Sequence, residues 1–199
     1  MSFSSDSRWL ALANSNAGCL EIVDTRTGEV ARQFESPLCW HALFSASGNL
    51  LAFDALRGPP AIGRELRLLD WPSGELRATV PSRSVYAGTH VISPDGRLVA
   101  VAADRTVQLF ETQTGQLRHE LFGHRGAIQS VSFSPDSRRL VTAGDDACVK
   151  LWHVSTGQNL LDFSNRSSQS AATGAQFTAD GCWLVYSTNE HAIHFIRLK

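Results

Sequence analysis

In "GDDACVKLWH", Gly144 to His153, two adjacent acids stand immediately ahead of a short apolar run. Neighbouring carboxylates are the residue types that ligate a hard cation or share acid and base work. The same residues also close the tight turn before a strand, where Asp side chains bond the local backbone. Which role Asp145 and Asp146 take depends on whether the stretch is unique or one copy of a repeat.

The remaining chemistry-bearing residues nominate no reaction. His191 and His194 are three apart; on a strand that spacing sends them to opposite faces, which argues against a shared ion. His41, His119 and His153 fall in separate apolar runs with no carboxylate or nucleophile at a suggestive spacing. No Gly-rich phosphate loop, GxSxG elbow or HExxH pair is present. The four cysteines, Cys19, Cys39, Cys148 and Cys182, form no CxxC pair and no zinc spacing. Cys39, Cys148 and Cys182 sit in or beside strand-like runs, where a free thiol acts as a small buried hydrophobe. The sequence therefore predicts no metal and no cofactor. Asn165-Arg166-Ser167 reads as a glycosylation sequon, meaningful only in a secreted protein, against which the free cysteines argue.

Composition narrows the class. The chain has 199 residues, 43% hydrophobic and 19% charged, with a net charge of −1. That is a globular balance with no pull toward nucleic acid or an anionic membrane. Lys150 and Lys199 are the only lysines, and the arginines are scattered along the chain without a run. No apolar stretch approaches membrane-spanning length and no leader peptide opens the sequence. The expectation is a cytoplasmic protein that uses neither nucleic acid nor membrane.

The chain repeats itself. "FSPDSRRLVTAGDDACVKLWHVSTGQ" from Phe133 matches "ISPDGRLVAVAADRTVQLFETQTGQ" from Ile92. Looser copies start at Phe3, Phe44 and Phe177. The Ser/Thr-Gly turns at Gly28, Gly74, Gly115 and Gly157 are 46, 41 and 42 residues apart. Each copy reads turn, apolar run, polar turn, second run, Thr-Gly turn, third run. Short runs of Val, Leu and aromatics between such turns are strands, and no helical period is sustained. The chain is predicted all-β, with copies at about 1–36, 37–81, 82–122, 123–163 and 164–199.

A unit of this length and grammar, with Gly123-His124 at its start and Trp152-His153 in place of Trp-Asp, resembles the WD-repeat (tryptophan-aspartate) β-propeller family. The resemblance covers the whole chain, strongly in two copies and loosely in three. It implies four-stranded blades, and it answers the question posed by the two acids. In the family the turn Asp accepts from the His of Gly-His, which bonds a strand hydroxyl, which in turn takes the Trp indole N–H. By position that set is His124, Asp146, Thr142 and Trp152. Burial would penalise each by about 1–3 kcal/mol if unpaired, so linkage is physically sensible. Asp145 is then an exposed neighbour. The third copy has Asp104 but Phe110 for Trp and Arg83 for His; the others have lost the set. The first copy begins where an innermost strand would end, and the last stops after its third strand. Eighteen strands are therefore expected, as the C-terminal part of a larger, seven-bladed propeller; a five-bladed ring with two reduced blades, or one closed by a second chain, is the alternative.

The implied function is a non-catalytic interaction scaffold for a protein or peptide. The resemblance implies loops around a channel mouth, where Trp40, His41, Arg83, Tyr86, Arg125 and Gln129 align, and the insertion "RGPPAIGRE" adds Arg57 and Arg64. Trp, Tyr and Arg are enriched at interface hot spots. Trp40 and Tyr86 packing between blades is the competing reading. Two further functions stay open: a sensor propeller of a larger enzyme, such as a kinase or nucleotide-dependent switch, and a propeller enzyme acting on a small molecule. An incomplete ring would also self-associate.

Overall fold

The computed structural model describes residues 1–14, 17–36, 39–57, 63–82, 90–164 and 171–198, less the side chains of Arg57 and Ser164. Among these, nineteen strands form five antiparallel sheets and no helix. Each sheet is a meander whose strands pair in chain order. The first holds β1 (Ser2–Phe3), β2 (Trp9–Asn14), β3 (Cys19–Asp24) and β4 (Val30–Glu35). The second holds β5 (Ala42–Phe44), β6 (Leu50–Arg57), β7 (Gly63–Asp70) and β8 (Leu76–Ser82). The third holds β9 (His90–Ile92), β10 (Leu98–Ala103), β11 (Thr106–Glu111) and β12 (Leu117–Phe122). The fourth holds β13 (Ile128–Phe133), β14 (Arg139–Gly144), β15 (Cys148–His153) and β16 (Asn159–Ser164). The last has three: β17 (Ala172–Phe177), β18 (Trp183–Thr188) and β19 (Ile193–Arg197).

One strand was not expected from the sequence. The two-residue β1 pairs Ser2 with Ala11 and Phe3 with Leu10, so the first sheet has four strands rather than three. A pair this short leaves no alternation to read, which is why the pattern misses it.

The meander is built by its turns. Ser134 Oγ donates to Asp136 Oδ1 at 2.5 Å and accepts the Arg139 N–H at 2.9 Å. Asp136 Oδ1 also takes the Arg138 N–H at 3.1 Å. The same hydroxyl–carboxylate pair recurs at Ser4/Asp6, Ser93/Asp95 and Thr178/Asp180. These side chains substitute for backbone partners where the chain reverses. At the opposite turn of the meander, Gly157 has φ of 70° and its N–H reaches the His153 carbonyl at 2.8 Å. That left-handed conformation costs a side-chain-bearing residue and not Gly.

Two compact units result: Met1–Arg83 with Glu111–Gln116, and Ser84–Phe110 with Leu117–Lys199. In the first, Ala11, Leu20 and Ile22 pack on Ala42, Leu51, Phe53 and Leu69. Trp71 is wedged edge-on against Trp9 and Phe44, with ring centroids 5.5 and 5.3 Å away. In the second, Leu98, Val107 and Leu109 of the third sheet meet Ile128, Leu140 and Trp152 of the fourth. The other face of the fourth sheet, Val141, Ala143 and Val149, packs on Ala172, Ala175 and Leu184.

Candidate functional site

β13–β16 carries a buried polar chain. The Trp152 indole N–H donates to Thr142 Oγ1 at 2.9 Å, and Thr142 Oγ1 lies 2.7 Å from His124 Nε2. His124 Nδ1 lies 2.9 and 3.1 Å from the two Asp146 oxygens. The ionised Asp146 carboxylate can only accept, so the imidazole proton lies on Nδ1; Nε2 then accepts the Thr142 hydroxyl proton, while that hydroxyl accepts from Trp152. Burial lowers the His124 pKa and outweighs the opposing pull of Asp146. Asp146 also titrates below the usual range: burial raises it, but the Arg125 N–H and His124 more than offset that. Both shifts describe neutral imidazole against carboxylate, so the contact is a charge-assisted hydrogen bond rather than an ion pair. Asp146 further takes the backbone N–H of Arg125 at 2.8 Å and of Cys148 at 3.2 Å. Among the described residues no other sheet has such a set; Asp104 instead lies exposed beside Arg105 at 3.4 Å.

Asp145 is exposed, yet its carboxylate accepts from Gln129 Nε2 at 3.0 and 3.1 Å. Sequence reasoning missed this pair, since a cross-strand contact leaves no local spacing. The Arg125 side chain is exposed and Gln129 half-buried.

In the other unit the structure brings together residues 24 apart in sequence. Trp40, 47% exposed, lies beneath Arg64, with the guanidinium carbon 4.1 Å from the ring centroid. Trp40 therefore does not serve as core. Arg64 is a strand residue of β7, pairing with Leu56, rather than part of a loop. The His41 carbonyl accepts the Asp54 N–H at 3.1 Å. Burial pushes the Asp54 carboxyl up to about 6, against the pull of nearby Arg64. His41 is lowered, chiefly by burial and then by the Met1 ammonium. Arg83, Tyr86 and the side chain of Arg57 lie outside the described residues.

The cysteines depart from expectation. Cys19 and Cys39 are the buried pair, while Cys148 is half-buried and Cys182 exposed in a turn. Burial pushes the Cys39 thiol up to about 12, which removes it as a nucleophile at neutral pH. No group of three or more potential metal ligands occurs among the described residues.

The WD domain, G-beta repeat family model matches residues 115–153, the stretch that holds the His–Asp–Thr–Trp set. Residues 115–153 are a WD repeat, and the chain is similar to WD-repeat proteins. Its antiparallel meander sheets have the form of propeller blades, and among the described residues only β13–β16 has the full polar set. Similar proteins include the meiotic recombination protein rec14 of Schizosaccharomyces pombe, 32% identical over 61% of this chain and 39% of that one. WD repeat-containing protein 1 of Xenopus tropicalis is 32% identical over 46% of this chain and 16% of its own length. WD repeat-containing protein 90 of the same frog is 29% identical over 76% of this chain and 8% of its own. The chain thus spans well under half of these relatives.

Proposed function

We propose that this WD-repeat chain is a non-catalytic platform that binds a protein or peptide through the Trp40–Arg64 patch. The observation that carries the reading is the stacked pair itself. A tryptophan left 47% exposed forgoes burial that its neighbours Ala42 and Phe44 obtain. Arg64 holds its ring in one orientation, which lowers the entropy a partner must remove on binding. Aromatic and Arg side chains together are the residue types that dominate interface energetics. The WD repeat at residues 115–153 and the similarity to WD-repeat proteins support the same reading.

The test is affinity capture with the full chain and with Trp40→Ala and Arg64→Ala, alongside a thermal melt of each. Proteins retained by the native chain should be lost from both variants while the melting temperature stays put. Unchanged retention by both variants, or a large melting shift in Trp40→Ala, would contradict the proposal.

A further inference from the structure

Where the third and fourth blades meet, a cleft of about 370 Å³ is lined by Arg97, Arg118 and Arg138 together with His153. Arg97 and Arg138 occupy the same place in successive blades, just after the Ser-Pro-Asp-Gly and Ser-Pro-Asp-Ser turns. Arg118 comes from β12 and His153 from the end of β15. The three arginines are exposed, and none of their guanidinium groups has an ion pair or side-chain hydrogen bond among the described residues. The acid in the lining, Asp95, already accepts from Ser93 Oγ at 2.6 Å and the Arg97 N–H at 3.1 Å. In a chain of net charge −1 this is a local surplus of positive charge.

The cleft is held in shape from below. The Asp95 N–H donates to Ser137 Oγ at 3.1 Å, tying the two turns across the blade boundary. Leu98 and Val154, both buried, supply an apolar floor. The hydroxyls of Thr156 and Ser155 lie 3.1 and 3.3 Å from His153 Nδ1. With these hydroxyls donating, the ring proton resides on Nε2, which is then a donor.

We infer that this cleft binds a phosphorylated side chain of a peptide segment in a partner. Three forked guanidinium groups exceed what a single carboxylate neutralises. A phosphate monoester carries up to two charges and three acceptor oxygens, and Arg forks match it bidentately. The apolar floor suits the carbon stem of a modified Ser or Thr, which a free inorganic anion lacks. This second site is independent of the Trp40–Arg64 patch.

The experiment uses immobilised degenerate phosphoserine and phosphothreonine peptide libraries, the same libraries unphosphorylated, and inorganic phosphate as competitor. The native chain should be retained by the phosphorylated libraries alone. Retention should fall at least tenfold for Arg97→Ala/Arg138→Ala and only partly for Arg97→Lys/Arg138→Lys, since lysine keeps the charge and loses the fork. Melting temperatures of both variants should match the native chain, because these side chains are exposed. Three outcomes would overturn the inference: no retention, equal retention by the unphosphorylated libraries, or equal retention of the alanine variant. Inorganic phosphate competing as well as a phosphopeptide would identify a small-anion site instead and equally overturn it.

Discussion

Thr142 has a single hydroxyl that accepts from Trp152 and donates to His124, so its loss would orphan two buried groups at once. Asp146 ends that relay and also gathers two backbone N–H groups, whereas the Asp145 carboxylate meets Gln129 at the surface. Asp146→Ala should therefore cost about 1–3 kcal/mol of unfolding free energy, and Asp145→Ala no more than about 0.5. Equal effects in urea unfolding would dismiss the relay as a stabilising device. The pH dependence adds a signature. His124 has a lowered pKa in the fold, so its stabilising neutral form is fully present above the unfolded value of 6.5 and stability is lost as pH falls below it. Asp146 works against that lowering, so its removal depresses the His124 pKa further, and the gap between native chain and Asp146→Ala should widen from pH 8 to pH 5. A gap that narrows would contradict the assignment. The relay was legible because Gly-His, the turn Asp and Trp keep a fixed spacing. Arg64 over Trp40 was not, because cation–π pairing across 24 residues depends on blade geometry rather than on local order.

Among the elements, turns and edges matter more than strand interiors. The apolar runs announced nearly every strand, while the two-residue β1 and the strand placement of Arg64 emerged only in three dimensions. The hydroxyl two residues before each turn Asp was visible in the sequence, but its role as hub needed the hydrogen bonds. β19 is an edge of the three-stranded sheet, with no second neighbour among the described residues. It presents Ile193 and Phe195, 64% and 66% exposed. An exposed apolar edge templates further pairing. The chain should self-associate with rising concentration, and Phe195→Lys should suppress this without lowering the melting temperature. Light scattering showing a monomer at all concentrations, or identical association by the variant, would remove β19 from that role.

For the molecule as a whole, the repeat period disclosed the blade count and the all-β class, because each blade must bury its faces on a neighbour and so repeats the same pattern. The proposed partner was not legible, since a repeat fold leaves any ligand to side chains scattered over separate repeats. Site-directed photocrosslinking tests whether the proposed Trp40–Arg64 patch is a binding surface. A photoreactive phenylalanine analogue is placed at Trp40 and, as a control, at Leu160, which is comparably exposed at 44%. Discrete adducts with one or a few polypeptides are expected from position 40, none of them shared by position 160. The same adducts from both positions, or none from position 40, would contradict it.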